Sequence, residues 1–574
     1  MSRGGSRPVP ERIVIGRIAT LAGATGFGWV DAIAITDGRV VAAADAAMIG
    51  AMAGPRTEVW RLGSRHVVVP GIVDAHLHLA SAAAVAWQPD LGPCADRAAV
   101  LAAIAAEDAR LRDAGDTDGW LLGHGWSLDQ LGGWPVASDL DLVAGGRPVA
   151  LWSHDHHSRW VSSTALRAAR IGAGSQDPTG GHIGRDLAGD PDGMLHEDAV
   201  TLVDGAIPEP DPGRLADALA AYATALARSG VTGAHDPGEL TADPAMRRGP
   251  AFYRALARDG RLPLRVVASV REDQLDAAIA AGVRTGHSVG PLGADLADPA
   301  TVRVTARYRD GWLKLFADGA LGSRSAALLA PYEADDAAGA PLGGPTGMLL
   351  RSPEALVGAA RRATDAGIAV QIHGIGDAAV RIALDVLERL PRVAGAAHRV
   401  EHAQLVDPAD LARFATLGIV ASVQPCHLIS DAVPARAAWG SRTAHAFPLA
   451  ALDRSGAVLA FGTDAPVEPP DPWRGIAAAV TRGSGEWPED RPPFHAEQAL
   501  PLWRALRAAS RDVARSAGVH DEGHLGVGAR ADLMVVDAKA VDEPARRGGA
   551  LERARPLATL IDGAVAWRDA GFDA

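Results

Sequence analysis

Cysteine is almost missing from this chain. Two cysteines in 574 residues, Cys94 and Cys426, exclude a disulfide framework and predict a reducing compartment. No stretch reaches the roughly 20 uncharged apolar residues of a membrane span. The start, Met1 to Arg12, is polar, and Arg17 breaks the apolar stretch after it, so a signal-peptide layout is missing as well. A cytoplasmic protein with no membrane partner is the expectation. A formal net charge of −13 gives no basic footprint for nucleic acid. No Gly-rich phosphate loop follows the first strand-like run, which weighs against an open doubly wound sheet. The length suits one large domain with a satellite, or two or three domains, and 48% hydrophobic residues suffice for a sizeable core.

What is present begins with His66-Val-Val-Val-Pro-Gly-Ile-Val-Asp74, an apolar run that leads into His76-Leu77-His78. The run reads as a buried strand. Side chains two apart on a strand share a face, so both imidazoles can hold one metal ion. Four later runs each offer a further group. They are Gly311-Trp-Leu-Lys314-Leu-Phe-Ala-Asp318, Ile368-Ala-Val-Gln-Ile-His373, His398-Arg-Val-Glu401-His402 and Val458-Leu-Ala-Phe-Gly-Thr-Asp464. A single His-x-His is common, but six such groups in order, each at or in a short β-type run, are not.

Strand candidates fall near 71–76, 231–236, 264–270, 311–317, 369–373, 397–402, 418–424 and 458–464. Helical candidates include 212–229, 354–366, 377–389 and 408–416. Eight strands with helices between them predict a (β/α)8 barrel over 69–519, with functional groups at the C-terminal strand ends. Residues 8–68 and 520–570 read as short strands with tight turns such as Asp37-Gly38, and predict one β-sandwich built from both chain ends. Residues 80–230 are too long for a plain first connection. They hold Trp120-Leu-Leu-Gly-His124-Gly-Trp126 and His154-Asp-His-His157, and read as an insertion over the barrel mouth.

Two divalent metals a few ångströms apart can activate a water and polarise a carbonyl. The assignment that follows gives one metal His76, His78 and Asp464, and the other His373 and His402. Lys314, carboxylated by carbon dioxide, would bridge them. Asp464 would also take the proton of the attacking water and pass it to the leaving amine. An uncarboxylated Lys314 is the alternative. It would pair with Asp318 and leave a one-metal site. Asp377 reads as a helix cap, Asp74 as a turn-holder or a support for the ligands, and Glu401 as a residue on the opposite strand face from His402. His154, His156 and His157 form a weaker metal-like cluster. Cys426 has no base placed beside it and reads as inert.

The motif set resembles the amidohydrolase superfamily, specifically its amidohydrolase 3 group, which includes N-substituted formamide deformylase-like proteins. Pro70-Gly-Ile-Val-Asp-Ala-His76-Leu-His78, Trp312-Leu-Lys314-Leu-Phe-Ala-Asp-Gly-Ala-Leu-Gly-Ser-Arg324, His373-Gly-Ile-Gly-Asp377, Arg399-Val-Glu-His402-Ala-Gln404, Ser422-Val-Gln-Pro425, Phe461-Gly-Thr-Asp464-Ala-Pro-Val467 and Gly526-Val-Gly-Ala-Arg-Ala-Asp532 carry it. The resemblance implies a metal-dependent hydrolase of non-peptide C–N bonds, on a distorted TIM barrel with a β-sandwich, using zinc as one or two ions. It places Asp318 and Arg324 near substrate. His157 and Trp126 of the insertion are expected there too. The sequence departs from the group's pattern at His156 (usually Gly), Ser162 (usually Asn) and Thr463 (usually Ser). A lactonase or esterase on the same site, and a non-catalytic regulator that keeps the fold, are the competing functions. The expected partner is a small-molecule substrate, and a homodimer is left open.

Overall fold

The structure is a computed structural model that describes residues 9–238, 250–288, 307–333 and 341–573. The polar start, residues 1–8, lies outside them. Eight parallel strands form one sheet in chain order. They are β1 (Ile72–Asp74), β2 (Val231–Asp236), β3 (Arg265–Arg271), β4 (Tyr308–Phe316), β5 (Ala369–Gly374), β6 (Arg399–His402), β7 (Val420–Val423) and β8 (Val458–Phe461). Across the seam the Ala75 N–H donates to the Phe461 carbonyl at 2.9 Å. All eight predicted strands are found. The strands are buried on both faces, as crossover helices require. Pro212–Arg228, Pro353–Asp365 and Asp377–Glu388 are among those helices. Their apolar residues, such as Leu219, Leu226, Leu356 and Leu384, join the barrel core.

The chain ends build a separate eight-stranded sheet. Leu533–Asp537 from one end pairs antiparallel with His66–Pro70 from the other. Val14, Ile33, Val68, Leu533 and Leu560 share one core across that join. Asp37-Gly38 and Asp562-Gly563 turn with positive φ at both residues, the mirror-image turn that suits a hairpin's twist.

The insertion folds around its own five-stranded sheet, with Leu121–Trp126 at one edge and Gly181–Arg185 at the other.

Two local readings need correction. The run from His66 to Asp74 is not one strand. It breaks at Gly71, with His66–Pro70 in the terminal sheet and Ile72–Asp74 in the barrel. A Cβ on Gly71 would sit 2.5 Å from Thr232 Cγ2, so the close approach at the break needs glycine. His76 and His78 therefore lie beyond β1, and strand alternation is not what places them. Asp377 is not the cap of its helix either. Gly376 holds that position, while Asp377 accepts hydrogen bonds from the backbone of Leu329 and Ala378.

Candidate metal centre

The loop after β1 is stitched to its neighbours through backbone bonds. The Leu77 N–H donates to the His235 carbonyl at 3.0 Å, and the Asp464 N–H donates to the His76 carbonyl at 2.6 Å. Asp74 reinforces the seam. It accepts from the His76 N–H at 3.0 Å and from the Thr463 hydroxyl at 2.6 Å. Threonine at 463 thus keeps the hydroxyl that this contact uses.

Each histidine's tautomer follows from its second nitrogen. A carbonyl only accepts, so His78 Nδ1 donates to the Gly238 carbonyl at 2.6 Å and turns Nε2 inward. His76 Nδ1 lies 2.5 Å from Glu401 Oε2. Burial alone would raise the Glu401 carboxyl, but the Arg399 guanidinium and His76 hold it well below its usual range, so it too accepts. The lone pair of His76 is left on Nε2. Both Nε2 atoms face Asp464 Oδ1, at 3.5 Å from His76 and 3.4 Å from His78. Burial is the main reason that the pKa of His76 falls to about 4, and that His373 and His402 fall well below the ordinary value. These three are neutral imidazoles near pH 7.

The lone pair of His76 therefore faces Asp464 Oδ1 with no proton between them, an arrangement that favours a cation there. On the other side burial opposes the charge of His427, but Asp464 and Glu468 raise its pKa to about 10, so its Nε2–H donates to Asp464 Oδ2. Two atoms here, His402 Nδ1 and Asp464 Oδ1, are buried without any hydrogen-bond partner. His76, His402 and Asp464 bring ligand-type atoms within 4.8 Å of one another. His373 meets His402 edge-on, 4.5 Å from ring centre to ring centre. Its Nε2 lies 3.2 Å from the Gly319 carbonyl, which keeps the lone pair on Nδ1. Two imidazole nitrogens, a carboxylate and nearby further histidines fit a divalent ion. The orphaned atoms give the independent reason to expect one.

Lys314 is fully buried beneath this group. Burial lowers its pKa to about 8, against the pull of Glu401 and Asp464. Its Nζ lies 4.7 Å from the centre of the Phe316 ring. The alternative ion pair with Asp318 is not made. Asp318 instead accepts from the backbone N–H groups of Ala327, Gly376 and Ile375, at 2.9, 2.9 and 3.1 Å. It holds the loop after β4 against the loop after β5.

The other sequence candidates fall in different places. His157 lies 5.5 Å from His373, ring to ring, and pairs with Glu197 at 2.7 Å. Burial opposes its charge, but Glu197 more than offsets this and raises it to about 9. Arg324 is buried on the Tyr332 ring and donates to the Glu333 carbonyl. Trp126, expected near substrate, instead packs inside the insertion with Trp134 and Trp160, its indole N–H on the Leu151 carbonyl at 3.0 Å. That is a core position. His156 takes φ 56°, a conformation that favours glycine. Ser162 caps the helix Ser163–Ala168.

Glu401 is the clearest correction in the site. It points into the barrel, not to the opposite face. β6 ends at His402 with φ 69°, and Ala403 follows at φ 41°. The strand alternation fails there, so adjacent Glu401 and His402 both reach the centre. Sequence reading also missed His427. Its Nε2 lies 3.2 Å from Asp464 Oδ2, and its Nδ1 lies 3.8 Å from Glu468, which in turn lies 3.5 Å from His154. The only available signal was its place just past β7 in Gln424-Pro-Cys-His427. Cys426 is buried, and burial raises its thiol well above the ordinary value, which agrees with an inert residue.

Known proteins match this chain over most of its length. YtcJ of Bacillus subtilis (strain 168), whose name calls it an amidohydrolase, is 30% identical over 497 residues, 85% of this chain and 87% of YtcJ. The N-substituted formamide deformylase of Arthrobacter pascens is 26% identical, across 94% of this chain and 95% of its own. The crystal structure of an uncharacterized metal-dependent hydrolase from Pyrococcus horikoshii OT3 superposes with a TM-score of 0.69 at 26% identity, covering 92% of this chain and 97% of that one. The family model matches residues 66–566, all of the barrel with its insertion and much of the terminal sheet, and the chain belongs to the Amidohydrolase family.

Proposed function

We propose that the chain is a metal-dependent amidohydrolase that cleaves a C–N bond outside peptides, in an amide or an N-substituted formamide. The observation that carries the reading is the convergence of His76 Nε2, His78 Nε2 and the unpartnered His402 Nδ1 on Asp464. His76, His78 and Asp464 would hold one ion, with His402 and His373 beside a second. Zinc suits this donor set. A bound divalent ion would polarise the substrate carbonyl and lower the pKa of a water.

The protein's own groups then have distinct tasks. Glu401 and the Gly238 carbonyl fix the rings of His76 and His78 through their Nδ1 atoms. Asp464 Oδ2 would take the proton of the attacking water and pass it to the leaving nitrogen, while Oδ1 faces the imidazoles. Lys314 would supply the bridge. Carbon dioxide adds to a neutral amine, releases one proton and leaves a carbamate anion. Burial favours the neutral amine that this reaction needs. His157 and Arg324 would contact substrate at the rim, and Asp318 would position the loop that carries Arg324. The relative named as an N-substituted formamide deformylase supports formamides as the first class to assay.

The test is elemental analysis of the purified protein together with a screen of N-substituted formamides, acyl amines and lactones. One to two divalent ions per chain and turnover of formamides or acyl amines are expected. Turnover of lactones alone would replace the reading with a lactonase. Bound metal without any turnover would favour a regulator that keeps the fold.

A further inference from the structure

Gln424 follows β7 at the barrel mouth and is 2% exposed. Neither its Oε1 nor its Nε2 has a hydrogen-bond partner. Buried amides are nearly always paired, because an unpaired one forfeits its bonds to water. Gln404, on the same cavity wall, follows that rule and donates to Asp431 at 2.5 Å. Gln424 does not. The cavity that it lines is also bounded by His402 and His427, the two residues that flank Asp464 Oδ2 at 3.9 and 3.2 Å. Val423, Phe447 and Leu449 give it an apolar floor. The cavity is partly open, and its space of about 10 Å³ has room for one water-sized group.

A donor and an acceptor thus wait, buried, in a cavity walled by the two histidines that flank the carboxylate that would handle the proton. We infer that Gln424 is a specificity-determining residue whose side-chain amide hydrogen-bonds the scissile amide of the substrate and so selects C–N over C–O bonds. The inference rests on the amidohydrolase reading. A secondary amide offers both an N–H and a carbonyl. An ester offers acceptors only, and would leave Gln424 Oε1 buried without a donor. Sites built to bond an N–H discriminate strongly against analogues that lack one.

The test compares N-benzylformamide with benzyl formate on the as-purified protein and on Gln424→Met, which keeps the volume and removes both polar atoms. Gln424→Met should lower kcat/KM for the formamide at least about 10-fold more than for the formate ester, with metal content unchanged. An equal loss on both substrates, or no loss, overturns the inference and leaves Gln424 as the partner of a buried water. Should Gln424→Met fail to fold, Gln424→Glu decides. It keeps acceptor oxygens for the amide N–H and loses only the donor to the carbonyl that both substrates share, so a formamide-to-ester ratio that is kept or raised supports the inference and a ratio that falls overturns it. If the wild type turns over neither probe, the amidohydrolase reading fails for this class, and calorimetry of N-benzylformamide still decides on Gln424. Binding that Gln424→Met abolishes supports the inference; binding that is unchanged, or absent from the wild type, overturns it.

Discussion

Two buried clusters of charge sit at opposite ends of the barrel strands. At the start of β3, Arg265 meets Asp562 at 2.9 Å and is also paired with Asp532. Arg530 joins the same cluster through Asp562 at 3.0 Å and Glu522 at 3.1 Å. Fixed positive and negative charges neutralise one another there, and they tie the terminal sheet to the barrel. At the mouth, Asp464 faces His76 and His402, which burial keeps neutral, on one side and the charged His427 on the other. Both clusters are equally buried. The difference is in sign: the first sets arginines against carboxylates, and the second sets neutral imidazole nitrogens against the Asp464 Oδ1 side, where a cation fits. A buried charge cluster marks a functional site when its donors converge without pairing.

Substitutions at the two ends should therefore fail in different ways. The largest effect is expected from the double variant His76→Ala/His78→Ala, which should lose both metal and activity while staying folded. Full metal content in that protein, by mass spectrometry of the elements, would break the contrast. Next comes Asp464→Asn, which should fold normally and lose about 10²–10⁴-fold in kcat. Steady-state rates near wild type would remove Asp464 from proton transfer.

At the other end, Asp562→Asn should cost about 3–5 kcal/mol of stability, since it strands buried arginines, with metal per folded chain unchanged. The pH dependence sharpens this. Burial would raise the Asp562 carboxyl, but Arg265, Arg530 and Arg307 hold it below the ordinary value. Its contribution is thus present above the unfolded pKa of about 3.9 and fades as pH falls through the lower folded value. Denaturant melts should show wild type and Asp562→Asn converging in acid; a gap that stays constant would contradict the ion-pair role. The smallest effect is expected for Glu401→Gln. It keeps the shape but weakens the hold on His76 Nδ1, and should cost about 10–100-fold in metal affinity, measured by competition with a chelator.

The barrel and the groups at its mouth were legible in the sequence, and the charge cluster around Arg265 was not. Eight short apolar runs with helical segments between most of them pointed to the barrel, because strands buried on both faces have to be continuously hydrophobic. The order His76, His78, Lys314, His373, His402, Asp464 pointed to the mouth because barrel chemistry collects at strand ends. Alternation rules stopped working at those same ends. His402 and Asp464 adopt positive φ, so a period of two could not show that Glu401 reaches His76. Nor could spacing reveal that His427 reaches Asp464 and shares a cavity wall with Gln424, since that depends on how the loop after β7 folds back. Trp126 illustrates the opposite error. A tryptophan beside histidines suggested a substrate surface, and packing in the insertion took it instead.

Anomalous X-ray diffraction, at the edge of the metal that elemental analysis identifies, tests the central claim most directly. The account predicts a peak about 2.0–2.2 Å from His76 Nε2, His78 Nε2 and an Asp464 oxygen. A second peak should lie beside His373 and His402, with carbamate density beyond Lys314 Nζ between the two. One peak with a bare Nζ would reduce the centre to a single ion. Metal-supplemented crystals with no peak among these residues would contradict the account.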